Sequence, residues 1–101
     1  MVRVRVIYPN GEGAFFDMDY YMSHHIPILA NKLGDVCKKI EIEGMAQMEG
    51  QPPPKLLSIT YLTFETAEAY HAAYDPLADA AAANRPFFTN VAPLFEIDDI
   101  G

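Results

Sequence analysis

Positive charge is scarce in this sequence: seven Lys and Arg stand against fourteen Asp and Glu, for a formal net charge of −7. Such a chain repels polyphosphate and anionic lipid, so nucleic acid is not an expected partner. Cysteine is nearly absent as well, and Cys37 alone closes no internal disulfide, which favours a reducing cytoplasm. No apolar run is long enough to span a bilayer, and the alternating first residues do not form a secretory signal. We therefore expect a cytoplasmic protein without membrane contact.

What the chain does have is a large apolar fraction. Its 101 residues are 50% hydrophobic and 21% charged, which is enough for one core but not for two. We therefore expect a single domain over residues 1–101. A domain of this size buries only about 60 to 70% of the surface of its unfolded chain, so it gains stability by pairing with a second copy of itself.

Two hydrophobic periodicities define the order of the elements. Apolar residues alternate with polar ones in strands and recur every three or four positions on helix faces. Asp17 and Thr66 are suited to begin helices because their side chains accept free backbone N–H groups, and Pro27 is expected to break the first helix near 23–26. The sequence predicts strands at 2–8, 36–44 (running on towards 48), 56–64 and 91–100, and helices at 18–33, 67–74 and 77–83.

The order β-α-β-β-α-β predicts a ferredoxin-like α+β fold, in which a four-stranded antiparallel sheet carries its helices on one face. The strand at 56–64 is the most apolar and is expected at the sheet centre. Several strands are apolar on both faces, with Ile7 opposite Val6 and Leu94 opposite Phe95, so one apolar sheet face stays uncovered in a monomer. We predict a homodimer through this sheet face, with the two sheets forming a barrel and the helices outside.

A candidate catalytic pair lies on the first helix. His25 falls on the apolar stripe beside Pro27, and Tyr21 precedes it by four residues on the same face. A phenol and an imidazole at this spacing are suited to hold an enolate or phenolate and to shuttle a proton. The alternative is that both are ordinary core side chains. Pro27 leaves the helical phase open, so Tyr20 remains an alternative to Tyr21.

A mostly apolar small-molecule site is predicted between the sheet and the helices. The alternative is a filled core, because methionine and aromatic side chains fill irregular space well. No His-x-His or His-Glu-x-x-His spacing indicates a metal site, and no glycine-rich phosphate motif indicates a nucleotide, so we expect neither metal nor cofactor. The predicted lining of the site is Met18, Met22, Tyr61, His71 and Phe95.

Two segments resemble the EthD family, small proteins first associated with ethyl tert-butyl ether degradation. Phe16-Asp17-Met18-Asp19-Tyr20-Tyr21 followed by His25-Ile26-Pro27 is similar to the family's signature, and residues 86–93 resemble its closing loop and last strand. The resemblance implies a dimeric α+β barrel. The positions that match the family's motif are Asp17, Tyr20, Tyr21, His25 and Pro27.

The resulting expectation is a homodimeric EthD-type protein that binds a small apolar or aromatic molecule. As an enzyme it would run a cofactor-independent oxidoreductase, isomerase or dehydratase reaction, with His25 as acid or base and Tyr21 as its hydrogen-bond partner. The alternative is a non-catalytic binding or accessory protein of a degradation or biosynthetic pathway. A third hypothesis is a fold that only mediates dimer contact, which predicts a filled core without a pocket.

Overall fold

The secondary structure follows the order predicted from the sequence. In the computed structural model, which describes residues 1–44, 50 and 52–101, strands alternate with two helical segments. The strands are β1 (Val2–Pro9), β2 (Lys39–Gly44), β3 (Leu56–Phe64) and β4 (Leu94–Asp99). The first helical segment contains α1 (Met18–Tyr20) and α2 (Ile26–Leu33), and the second contains α3 (Ala67–Tyr74) and α4 (Ala78–Asn84). In the described part of the chain, no helix has the length and apolar character needed to cross a membrane.

The strands form one antiparallel sheet in the order β2-β3-β1-β4. The register places Val4 of β1 between Leu62 of β3 and Ile97 of β4. The α+β fold with its four-stranded antiparallel sheet is therefore confirmed, and β3 lies between two strands as predicted.

The second and fourth strands begin later than the sequence indicated. Val36 was expected in the second strand, but Gly34–Val36 form a 3₁₀ turn and β2 begins at Lys39. The alternation of apolar and polar residues at Val36 therefore does not reflect a strand, because this residue lies in the turn that follows α2. The expected continuation towards Met48 falls on residues 45–49, which lie outside the described residues. The last strand was expected from residue 91 and begins at Leu94.

The core lies between the sheet and the helical segments. Alternation along β1 turns Val4, Val6 and Tyr8 towards the helices, and all three are buried. Burying an apolar side chain of this kind contributes about 1.5 to 3 kcal/mol, so this face supplies much of the driving force for folding. The core is completed by Tyr21, Ile26, Leu29, Leu33, Leu62, Phe64, Tyr70, Tyr74 and Phe88.

The first helical segment is interrupted where the sequence predicted a break. Asp17 begins it, and its carboxylate accepts the backbone N–H of Tyr20 at 3.0 Å. Tyr21–His25 form a π turn, which is closed by a hydrogen bond from the N–H of Ile26 to the carbonyl of Tyr21. Pro27 follows the π turn directly, and because it has no backbone N–H it cannot donate to the helical hydrogen-bond pattern at this position.

The second helical segment is also interrupted by proline. Thr66 begins it by accepting the N–H of Ala69 at 3.0 Å. The 3₁₀ turn Asp75–Leu77 contains a proline and separates α3 from α4. A second 3₁₀ turn, Arg85–Phe87, follows α4 and leads to an isolated bridge between Thr89 and Phe16. This bridge fixes the end of the second segment against the start of the first.

The sheet face opposite the helices, which we call the open face, is only partly apolar. Ile7, Ile59 and Leu94 lie side by side at one end of it. At the other end Arg5 donates hydrogen bonds to Asp98, at 2.7 Å, and to Glu96. Leu94 is 57% exposed on this face, whereas Ile7 and Ile59 are each 9% exposed, so the uncovered apolar face expected from the sequence is present only in part. The arginine and its carboxylates occupy about half of its β1–β4 side.

Candidate functional site

A cavity of about 190 Å³ lies between α2 and α4. Its floor is made by small side chains of α4, which leave space that larger residues would fill. The π turn ends at the cavity, so the last residue of that turn is presented to it. The lining residues are His25, Ile28, Leu29, Lys32, Leu77, Ala80, Ala81 and Asn84.

A chain of hydrogen bonds fixes the imidazole of His25. The amide of Asn84 accepts a hydrogen bond from the hydroxyl of Tyr20, with 3.3 Å between Oη and Oδ1. Its nitrogen Nδ2 therefore faces Nδ1 of His25, at 2.9 Å, and donates to it. Because Nδ1 accepts, the proton of the neutral ring is on Nε2. The polar atom that His25 has left for a ligand is thus an N–H donor.

Burial keeps the imidazole neutral. The side chain of His25 stacks on Tyr21, with ring centroids 5.3 Å apart and planes at 15°, and packs against Phe88 at 4.7 Å. Loss of hydration, reinforced by the positive charge of Arg85, lowers the pKa of His25 to about 4. His25 is therefore uncharged at neutral pH.

Tyr21 lies between the imidazole of His25 and the sheet. Its hydroxyl is 2.6 Å from Oγ1 of Thr60, on the central strand, and the side chain is fully buried. Burial, together with the nearby Tyr8, raises the pKa of this phenol far above its ordinary value. Tyr21 therefore stays protonated, and it is not among the residues that line the cavity. The predicted pair is in contact, but through ring stacking.

Both tyrosines of the first helical segment reach His25, in different ways. Tyr21 stacks on its ring, whereas Tyr20 reaches it through Asn84. Tyr20 also stacks on the exposed His24, with centroids 4.6 Å apart. The question left open by the sequence therefore has a structural answer: neither phenol lines the cavity, and each positions the imidazole from another side.

The five predicted lining residues lie elsewhere and do not share one cavity. Met18 packs on β2, where its Cε lies 2.8 Å from the position of a Cβ on Gly44, and Met22 is exposed. Tyr61 is on the open face, where the guanidinium of Arg3 lies 4.9 Å from its ring centre. The expectation of a common pocket between sheet and helices is not met for these residues.

The remaining two predicted residues sit at the edges of the fold. His71 is exposed on α3, with Nδ1 3.3 Å from Oδ1 of Asp75. Phe95 faces the helical side of β4, 5.6 Å from the ring of Tyr74, but it remains 41% exposed because β4 is an edge strand. Neither side chain lines the cavity.

Sequence reasoning missed most of the lining. Ile28, Leu29 and Lys32 follow His25 by three, four and seven positions, a helical spacing that the apolar stripe through Leu29 and Leu33 only partly captured. Asn84 had no such signal, because it lies 59 positions from its partner His25. No cluster of three His, Cys, Asp or Glu suited to a metal ion occurs in the described parts of the chain.

Solved structures of other proteins have this fold. An EthD-like protein from Ralstonia eutropha JMP134 is 28% identical to the chain with a TM-score of 0.87, and the match covers 98% of this chain and 90% of that one. An EthD family protein from Bacillus halodurans C-125 is 15% identical with a TM-score of 0.70, covers 100% of this chain and 99% of that one, and agrees in fold alone. No protein-family model and no curated protein matches the chain.

Proposed function

Because the chain is an EthD-like protein, as its motifs predicted, we propose that it binds a small, largely apolar molecule in the cavity between α2 and α4. One observation carries the proposal: five apolar side chains and the buried imidazole of His25 border the same cavity. An apolar lining with a few fixed polar groups is the usual form of a small-molecule site. The hydrogen bond from Asn84 fixes the imidazole before a ligand arrives, which reduces the entropy cost of binding.

The test is the binding of toluene, which is monitored by changes in the amide and methyl NMR chemical shifts of the protein. Native mass spectrometry of the protein as purified complements it. Ala81→Leu fills the cavity and should abolish the shifts of the lining residues. Ala83→Leu is the matched control, because Ala83 lies on the same helix, is exposed and does not line the cavity. Toluene shifts that are absent from the lining residues, or unchanged in Ala81→Leu, would refute this site.

A second candidate function is cofactor-independent catalysis of the oxidoreductase, isomerase or dehydratase type at the same site. The neutral N–H donor of His25 favours it, because such a donor polarises a carbonyl oxygen and stabilises an enolate without supplying a charge. In this proposal Tyr21 is a positioning residue that acts through ring stacking. Turnover of an identified substrate that survives His25→Phe unchanged would exclude it and leave the binding function.

The proposal includes a homodimer formed through the open face. In the described part of the chain the helices cover the other face of the sheet, and Leu94 is 57% exposed on the open face beside Ile7 and Ile59, which are each 9% exposed. A second copy on this face would bury Leu94, and the internal pairing of Arg5 with its carboxylates limits the charge that has to be desolvated. The protein is proposed to act in the cytoplasm, since its single cysteine, Cys37, is a free thiol.

Oligomeric state tests the dimer directly. Native mass spectrometry and light scattering should give a dimer for the unmodified protein, and Leu94→Glu should shift it to monomer because the charge lies on the proposed contact. Phe87→Glu is the control, since Phe87 is an exposed aromatic residue on the helical side. A monomer at micromolar concentration in the unmodified protein would contradict the proposal.

A further inference from the structure

We infer that the ligand of the cavity between α2 and α4 is a small apolar carboxylate, bound with its carboxylate outward beside Lys32 and its apolar body inward towards His25. This inference rests on the proposed binding function and adds the chemical class of the ligand. It follows from the kinds of polar group that the cavity presents, from the single charge among them, and from their positions along α2.

The side chains of the lining offer more hydrogen-bond donors than acceptors. The imidazole of His25 has its acceptor Nδ1 engaged by Asn84, which leaves the Nε2–H. The amide oxygen of Asn84 is engaged by the hydroxyl of Tyr20, and its nitrogen keeps one N–H beyond the bond to His25. Lys32 has an ammonium group and accepts nothing. A ligand group that accepts hydrogen bonds therefore has more partners in this lining than a group that donates them.

The charge of the lining has one sign. Among the described residues that line the cavity, Lys32 alone has a side chain charged at neutral pH, and none is Asp or Glu. Ion pairs within the described residues engage Lys38 and Lys39 but do not include Lys32. The chain as a whole has a net charge of −7, whereas the charge that Lys32 brings to this cavity is positive. It favours an anionic ligand group over a neutral or cationic one.

The positions of these groups orient the ligand. Lys32 is exposed, whereas His25 is 8% exposed and lies seven residues earlier, about 10 Å away along the helix axis. Between them lie the apolar side chains of Ile28, Leu29 and the facing alanines. A carboxylate beside Lys32 keeps its hydration at the mouth, while the apolar body of the ligand lies against these apolar side chains.

Three probes of similar shape that differ in the charge and hydrogen-bonding character of one group test the inference: 4-methylbenzoate, 4-methylbenzamide and 4-methylbenzamidine. Dissociation constants are measured by NMR titration at pH 7.5 and low ionic strength. We expect the carboxylate to bind about fivefold tighter than the amide, which corresponds to one partly exposed ion pair, and the amidine to bind most weakly. Lys32→Met, which keeps the apolar stem of the side chain, should remove the advantage of the carboxylate. Lys39→Met, an exposed lysine of β2 away from the cavity, should leave it unchanged.

The outcomes separate the ligand class from the binding function. Equal affinity for the three probes, tightest binding of the amidine, or a carboxylate preference that persists in Lys32→Met would each overturn the inference while the cavity remains a binding site. Toluene that shifts the lining residues when none of the three probes does so would also overturn it. Failure of toluene and of all three probes to shift these residues would instead overturn the proposed function.

Discussion

The buried, neutral imidazole of His25 makes a quantitative prediction about acid stability. In the unfolded chain a histidine titrates near its ordinary pKa of about 6.5, whereas burial lowers the pKa of His25 to about 4 in the folded protein. Between these values the unfolded chain binds the proton and the folded protein does not. Protonation therefore favours unfolding, so the contribution of this group to stability is complete above pH 6.5 and is lost as the pH falls towards 4.

The magnitude follows from the difference in pKa. One pKa unit corresponds to about 1.4 kcal/mol, so the difference at His25 is worth about 3 kcal/mol in full. Of this, about 2 kcal/mol is lost between pH 7 and pH 5, because the unfolded histidine is almost fully protonated at the lower pH. His25→Gln retains a polar side chain opposite Asn84 without a titrating group, so its stability should be less sensitive to acid by this amount.

The assay is the free energy of unfolding in urea at pH 7, 6 and 5, measured at one protein concentration because the proposed dimer makes stability depend on concentration. The many carboxylates of the chain contribute equally to both proteins, so the comparison of slopes isolates His25. His24→Gln is the matched control: His24 is exposed and adjacent, and this variant should keep the acid sensitivity of the unmodified protein. Parallel pH dependences for the unmodified protein and His25→Gln would refute the buried, neutral state of this imidazole.

Three further predictions concern the surroundings of the site. Tyr21→Phe leaves the buried hydroxyl of Thr60 without its partner and should cost about 1 to 3 kcal/mol in urea unfolding, part of which Thr60→Val should restore in the double variant. Asp17→Ala removes the helix cap and should cost about 1 kcal/mol, while Asp17→Asn should be nearly neutral; equal losses in thermal unfolding would contradict the capping role. Asn84→Leu should release the imidazole of His25 from its single tautomer, so nitrogen NMR should find the proton on Nε2 in the unmodified protein and on both nitrogens in the variant.

The sequence itself contains evidence that two of the predicted lining residues, Tyr61 and His71, face away from the core. In a strand, neighbouring residues face opposite sides, so Tyr61 cannot share the helical face with Leu62, its neighbour in the core. On α3, His71 directly follows the buried Tyr70 and is rotated away from it by about 100°. In each case the local periodicity already placed the side chain away from the core.

The sequence by itself determined the order and type of the elements, the caps at Asp17 and Thr66, the break before Pro27 and the family resemblance. These features depend on residues within a few positions of one another, where periodicity and backbone chemistry act directly.

Only the tertiary structure decided where the cavity lies and which atom of His25 is available in it. The cavity requires α4 to approach α2, and the imidazole tautomer depends on Asn84, which the chain brings into contact across 59 positions. No local pattern specifies such a contact, because it arises from the packing of both helical segments onto one face of the sheet.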